Sequence, residues 1–338
     1  MASLEIALEI GTSYTSVYLS GQGIVLREPS VVAFLGDPRQ KRVRAVGNQA
    51  MEMLGKTPEK TAVVTPVVDG VIVDPDVCTV MLKEYIRKIL PDNYLFFPKI
   101  KALVGIPMGL SLEERRMYED VCAAAKIGDV TMIENIMLSG LGIDFPVSSP
   151  NGSLVVNVGG GVTEIAAVSL GGVIAGCGVT IGGNMMDKAL IDYITGKFNL
   201  KIALNVVRKL KHNIGSLAAA DNSQMDVEGI DIRTKIPSSV TVYATDIREA
   251  LLPYYKRISD AVENIINECP PAIAADIYKR GVYVVGGASK IYGLDKLMSE
   301  RLKLNVYCPQ EPDPSHAAIL GAGKLISDPQ LLNEILIS

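Results

Sequence analysis

Three glycine turns, each directly after an apolar run, are the residues of this chain whose types and spacing could do chemistry. Gly11-Thr12 follows LEIALEI, Gly159-Gly160-Gly161 follows LVVNV, and Gly286-Gly287 follows VYVV. Glycine has no Cβ, so backbone N–H groups at such a turn can close on an anion, which is the physical basis of many phosphate cradles. A single turn of this kind is more often an ordinary hairpin connection. Two in corresponding places, followed by a third, point more specifically to a phosphorylated ligand.

The elements that must position these turns follow from periodicity. Residues 4–34 read as a β-meander of three runs, LEIALEI, TSVYL and SVVAF, joined by Gly11-Thr12 and by Gly21-Gln22-Gly23. Helices are expected over 76–90 and 111–126, the second opened by the Ser111/Glu114 capping box, with a buried strand over 100–106 between them. The fold class is therefore α/β. From Ser153 the strand-turn-strand logic repeats: LVVNV, the triple glycine, VTEIAAVSL, Gly171-Gly172, VIAGCGVTI. Helical stretches over 184–198 and 203–212, a polar β-rich segment over 221–243 and a long amphipathic helix over 246–268 follow, the last stopped by Pro270-Pro271. A last glycine turn, Gly321-Ala322-Gly323, precedes a short helix ending near Ile337. The repetition implies two lobes, 1–150 and 151–338, with the terminal helices returning to the first.

Composition excludes several classes. The chain has 338 residues, 48% of them hydrophobic, enough for two domains or one large domain in two lobes. Lys plus Arg total 33 against 37 Asp plus Glu, and the net charge of −4 gives no broad attraction to nucleic acid or anionic lipid. Five scattered cysteines and two histidines show no metal-ligand spacing and read as reduced thiols of a cytosolic protein. The first residues lack the basic segment and apolar core of a secretory signal. Residues 165–186 carry no charge, but six glycines at about 1 kcal/mol each argue against a membrane helix and for strands joined by a Gly-Gly turn. Tyr94, Leu95, Phe96 and Phe97 are consecutive in an expected loop, where large apolar residues either pack beneath it or bind something.

The segments ALEIGTSYTSVYLSGQGIVLREPSVVAF, VVNVGGGVTEIAAVSLGGV and GVYVVGGASKIYGLDKL, with IREAL, PPAIAADI and LGAGKL, resemble the MreB family of bacterial actin-like, rod-shape-determining proteins over nearly the whole chain. The resemblance implies an actin-like two-lobed fold, with duplicated mixed β-sheet cores flanked by helices and a nucleotide cleft between lobes. It implies ATP as cofactor, with Mg²⁺ reached indirectly through Glu9. It also implies filaments of paired protofilaments in the cytoplasm, at the inner face of the cell membrane. Partners would be further copies of the chain, the membrane surface through Leu95 and Phe96, another MreB and cell-wall elongation proteins.

Carried over residue by residue, Glu9, Gly11, Thr12, Ser13 and Tyr14 fall on the first phosphate loop, and Asn157, Gly159, Gly160 and Gly161 on the second. Arg208 and Lys211 fall on the nucleoside helix, Gly286, Gly287 and Ala288 on the adenosine loop, and Glu134 and Asn135 where the attacking water is oriented. Several positions depart from the family pattern. Glu9 stands for an aspartate, adding one methylene and about 1.5 Å of reach. Asn157 stands for another aspartate, Val162 for a hydroxyl residue, and Asn135 for the water-orienting glutamate, while Tyr14 and Asn213 also differ. Losses of charge and hydrogen-bonding capacity at several such points multiply in phosphoryl transfer, so ATP binding with reduced hydrolysis is expected. Other functions of the same superfamily stay in view: a non-hydrolysing partner of an active MreB, or a kinase or chaperone. A kinase should supply a carboxylate near the phosphates, and a chaperone a peptide-binding domain.

Overall fold

Apolar alternation and glycine turns build the first sheet. The computed structural model describes residues 3–36, 42–56, 61–90 and 98–337, and the expected lipid contacts Leu95 and Phe96 lie outside them. Contacts divide the chain into unit 1 (Met1–Pro150, Val168–Val173, His316–Ser338) and unit 2 (Asn151–Ala167, Ile174–Ser315).

In unit 1, β1 (Ser3–Ile10), β2 (Tyr14–Leu19) and β3 (Gly23–Pro29) form the antiparallel meander. The third strand is not SVVAF, as expected, but GIVLREP. Gly21 and Gly23, at φ 76° and 87°, turn the chain into β3 directly. Pro29, with no N–H to donate, ends it, and the Val31 amide folds back onto the Pro29 carbonyl at 2.8 Å. SVVAF thus leaves as β4 (Val32–Leu35) and pairs with β5 (Val43–Val46) and β6 (Thr61–Val64) in a sheet of its own, beside α1 (Gly47–Met53). A small ladder, β7 (Val67–Val68) with β8 (Val71–Ile72), leads to α2 (Pro75–Ile89), capped by Asp74 with proline in its first turn. β9 (Lys99–Ile106), α3 (Leu112–Ala124), β10 (Ile127–Glu134) and α4 (Asn135–Gly142) follow, and α3 has both bonds of the Ser111/Glu114 capping box. β9 joins β1 in parallel and β10 joins β9, giving the order β10-β9-β1-β2-β3. Its core is Ile6, Leu8, Val104, Met81, Tyr85 and Tyr118, all fully buried, with the two tyrosine hydroxyls donating to the carbonyls of Pro29 and Gly70.

In unit 2, β11 (Ser153–Val158), β12 (Thr163–Ser169) and β13 (Gly172–Val179) lead to α5 (Gly183–Phe198), β14 (Leu200–Lys201), α6 (Leu204–Ile214), β15 (Gln224–Asp231) and β16 (Pro237–Tyr243). Then come α7 (Ala244–Glu268), α8 (Pro271–Arg280), β17 (Val282–Val285), α9 (Leu294–Leu302) and β18 (Val306–Tyr307). The main sheet runs β13-β12-β11-β17-β18, with β17 parallel to both β11 and β18. Strand for strand this is the order of the first sheet: a meander extended by two crossover strands. The uncharged segment 165–186 forms most of β12, the whole of β13 and the first turn of α5, and no helix among the described residues is long and apolar enough to cross a membrane.

The chain closes with α10 (Ala317–Ser327) and α11 (Pro329–Ile337), which belong to unit 1. Gly321-Ala322-Gly323, expected as a turn, lies inside α10. A Cβ at Gly321 would sit 1.9 Å from the Leu138 carbonyl oxygen, and one at Gly323 would sit 2.6 Å from the Tyr18 ring. Glycine is needed there for close packing, not for chain reversal.

Candidate functional site

The two glycine loops after β1 and β11 share one backbone design. The Gly11 amide donates to the Tyr14 carbonyl at 3.0 Å, and the Gly159 amide donates to the Val162 carbonyl at 3.0 Å. A Cβ on Gly11 or on Gly159 would lie 2.8 Å from that same carbonyl oxygen, so each loop admits only glycine at its first position. The amides of Thr12, Gly160 and Gly161 have no partner among the described residues. Unpaired main-chain donors at a tight turn are what an oxyanion takes up.

In unit 1 the ends of β1, β9 and β10 bring Glu9, Gly105 and Ile133 into register, with Glu134 one residue further along opposite Ile106, at the carboxyl edge of the parallel strands where ligands of such sheets bind. Ser30 fixes the first loop, its hydroxyl donating to the Gly11 carbonyl at 2.6 Å and its amide to the Ser13 carbonyl. Thr12 Oγ1 accepts the Gly70 amide at 2.9 Å. Glu134 is held by the Arg115 guanidinium at 3.0 Å. Asn135 is buried as the first residue of α4, its Oδ1 over Gly105 and without a hydrogen-bond partner. Tyr14 is partly exposed and lies under Arg27, 4.1 Å from its ring centre.

Burial pushes the Glu9 carboxyl up to about 7, partly opposed by the charge of Arg27. The stability linked to Glu9 is thus fully present below its ordinary value near 4.5, declines as pH rises, and is lost above about 7. Glu9→Gln is expected to gain up to about 3 kcal/mol over the parent at pH 8 relative to its difference at pH 5. Urea unfolding at the two pH values measures this, and a pH-independent difference would refute it.

In unit 2 the second loop is clamped by the start of α5, whose Gly183 and Asn184 amides donate to the carbonyls of Gly159 and Gly160. Gly182 permits this approach, since a Cβ there would be 2.6 Å from the Gly160 oxygen. Asn157 is occupied within the sheet, donating from Nδ2 to Glu164 at 3.2 Å.

A cavity of about 470 Å³ opens in unit 2, lined among others by Lys211, His212, Gly215, Tyr255, Ala288 and Tyr292. Its size is within the range of small-ligand sites. The loop after β17 forms one wall. Gly286 has φ 92°, a Cβ there would be 2.4 Å from the Val158 oxygen, and the Tyr255 hydroxyl pins the Ala288 carbonyl at 2.7 Å. Lys211 and Arg208 line up one turn apart on α6 and both bind Asp187 of α5, at 2.5 Å and 3.0 Å. Lys211 also donates to the Gly183 carbonyl. Burial, then the charges of Lys211 and Lys290, hold the His212 imidazole below its ordinary pKa.

Unit 2 therefore gathers Gly159, Gly160, Gly161, Arg208, Lys211, Gly286, Gly287 and Ala288 in one unit, and unit 1 gathers Glu9, Gly11 to Tyr14, Glu134 and Asn135. Sequence reasoning missed Asp187, Tyr255, Tyr292 and Arg27. Of these only Arg27 left a signal, as the first of two charges, with Glu28, after the apolar run of β3.

In unit 2 the open amides of Gly160 and Gly161 and a roomy cavity fit parts of a nucleotide, and in unit 1 the open Thr12 amide fits an oxyanion. Magnesium demands near-octahedral oxygen coordination. Among the described residues no group of three or more His, Cys, Asp or Glu is gathered to hold a metal, and Glu9 is a lone carboxyl, half protonated near neutrality, with a guanidinium for a neighbour. These residues do not make a magnesium site of their own.

The family described as MreB/Mbl protein matches residues 3–334 of the chain. The cell shape-determining protein MreB of Escherichia coli K12 is 36% identical over 329 residues, covering 96% of this chain and 94% of that protein. MreB5 of Spiroplasma citri, solved with ADP bound, superposes with a TM-score of 0.90 at 28% identity and 98% coverage of both chains. The MamK double helical filament shares the fold at a TM-score of 0.80 and 21% identity, covering 97% of this chain and 99% of that one. With a match across nearly all its length and an actin-like fold, the chain belongs to the MreB/Mbl family of cell-shape-determining proteins.

Proposed function

We propose that this protein is a cytoskeletal filament former that binds ATP and hydrolyses it slowly, with its two units as the two lobes of the actin-like fold. The observation that supports this best is the pair of glycine turns closed by the same bond at the end of corresponding strands, one with an unpartnered Thr12 amide and the other with unpartnered Gly160 and Gly161 amides. The unit 2 cavity would take the nucleoside, with Tyr255 and the Gly286–Ala288 loop shaping it, and MreB5 bound to ADP supports a nucleotide as ligand.

Slow turnover follows from the side chains. Asn157 has no carboxylate charge and its amide is engaged by Glu164; Val162 offers no hydroxyl; Asn135 is buried and Glu134 is occupied by Arg115. Main-chain binding survives these changes, while orientation of a water and stabilisation of developing charge do not. The filament is proposed to lie at the inner face of the cytoplasmic membrane, with Leu95 and Phe96 as its lipid contacts and display along the polymer raising the effective concentration of each loop.

Pelleting and negative-stain imaging without nucleotide, with Mg-ATP and with a non-hydrolysable analogue test the reading. Filaments are expected with the analogue as well as with ATP, with phosphate release at least tenfold slower than from Escherichia coli MreB assayed alongside. Phosphate release as fast as that protein's, lost in Glu134→Gln, would overturn slow turnover. No assembly in any condition would favour a non-polymerising partner of another MreB. Filaments should also float with liposomes, and equal flotation of a Leu95→Ser, Phe96→Ser protein would remove the lipid contact.

A further inference from the structure

The meander of unit 1 sets three polar residues side by side on one face. Glu9 of β1 pairs with Ser16 of β2, and Ser16 pairs with Arg27 of β3. Cross-strand partners point to the same side of a sheet, and strands lie about 4.8 Å apart, so Glu9 and Arg27 stand roughly 10 Å apart at their Cα atoms with the buried Ser16 between. No ion pair joins Glu9 to Arg27 among the described residues. Tyr14, two residues before Ser16 and therefore on the same face, places its ring 4.1 Å from the Arg27 guanidinium carbon.

Arg27 is thus fixed without being neutralised. Its Nε is buried and has no hydrogen-bond partner. A guanidinium N–H is an obligatory donor, and leaving it unpaired costs free energy in the unliganded protein. Such orphans in native proteins call for a specific explanation, and an incoming acceptor is one. The stacking surface is supplied by Tyr14, the closing residue of the first glycine turn, whose Thr12 amide is also unpartnered. Cation and open amide therefore serve the same loop.

We infer that Arg27 is the phosphate-binding cation of unit 1, held by Tyr14 beside the first glycine turn to take an oxyanion of a nucleoside di- or triphosphate without requiring a divalent metal. This rests on the nucleotide reading proposed above. A planar fork of donors matches phosphate oxygens bidentately and brings its own charge, whereas the acidic residues of this unit gather no metal site among the described residues. The longer Glu9 and the bulky Tyr14, two of the departures from the family pattern, belong to the same polar row as Arg27.

The test is equilibrium binding of ATP, ADP and adenosine to the full chain, in Mg²⁺ and in excess EDTA, for the parent, Arg27→Gln and Arg27→Lys. The parent is expected to bind ATP within about threefold in the two conditions. Arg27→Gln should lose at least tenfold for ATP in EDTA, with adenosine binding unchanged, and Arg27→Lys, which keeps the charge but not the fork, should lose less than Arg27→Gln. Equal ATP affinity of Arg27→Gln and the parent in EDTA overturns the role of Arg27 while leaving the nucleotide reading intact, as does an equal loss in Arg27→Lys and Arg27→Gln. A change in adenosine affinity of Arg27→Gln as large as its change for ATP also overturns it, since that would report disturbed folding. Absence of binding by the parent to all three ligands removes the nucleotide reading and the inference together.

Discussion

Gly321→Ala is expected to destabilise unit 1 by at least about 3 kcal/mol, and Gly321→Val to leave it unfolded at ordinary temperature. The reason is a helix crossing with no side chains in it. A Cβ on Gly321 of α10 would sit 1.9 Å from the Leu138 carbonyl oxygen and 2.9 Å from the Gly142 nitrogen, and one on Gly142 of α4 would sit 1.8 Å from the Ala317 carbonyl oxygen. The obstacles are backbone atoms in two helices and cannot rotate away as a side chain would. α10 also packs on β1, β2 and β9, and Glu9 and Gly105 pair next to the ends of β1 and β9, so any shift of its axis strains the edge of the sheet where the first loop begins. Gly196 is the natural control, since it is helical, with nothing within 4 Å of its would-be Cβ. Gly196→Ala should stabilise by about 0.5–1 kcal/mol. Denaturant unfolding of the three proteins gives the comparison, and a Gly321→Ala midpoint equal to the parent's would refute the crossing.

Asp187→Ala should cost about 3–5 kcal/mol, because it strands two cations that share one buried carboxylate. Asp187 is 3% exposed and accepts from both Lys211 and Arg208. Its loss frees the two side chains that brace α6 against α5, and with them a wall of the unit 2 cavity and the clamp on the second glycine loop. Nucleotide affinity is therefore expected to fall together with stability. Asp187→Asn, which keeps volume and one acceptor, should lose less of both. A second change, Lys211→Met in the Asp187→Ala background, should recover part of the stability by removing an unpaired charge, without restoring binding. If Asp187→Ala melts with the parent, Asp187 is not the brace described.

Legibility in the sequence tracked the range of the forces involved. The two meanders and their glycine loops were readable because apolar runs and glycine act within a few residues, and the Ser111 cap likewise. The third strand was misplaced because SVVAF is the more apolar run, whereas turn geometry at Gly21 and Gly23 decides that GIVLREP pairs first. The Gly321 and Gly323 helix was misread as a turn because glycine's local preference was outweighed by contacts made with Leu138 and Tyr18, far away in sequence. In the site, Gly159 to Gly161 could be found by eye, but Asp187 could not, since its partners lie 21 and 24 residues on and in another helix.

The shared turn, Gly11 to Tyr14 and Gly159 to Val162, is closed by main-chain bonds and presents main-chain amides. On the proposed reading such amides hold a phosphate whatever stands at Asn157 or Val162, so mutation at those positions can erode turnover while the site stays occupied. Under the proposed function the ligand would work less as fuel than as a keystone: what a cell would regulate is whether the site is filled, and the timing of filament loss would pass from an internal clock to the supply of nucleotide or to other proteins.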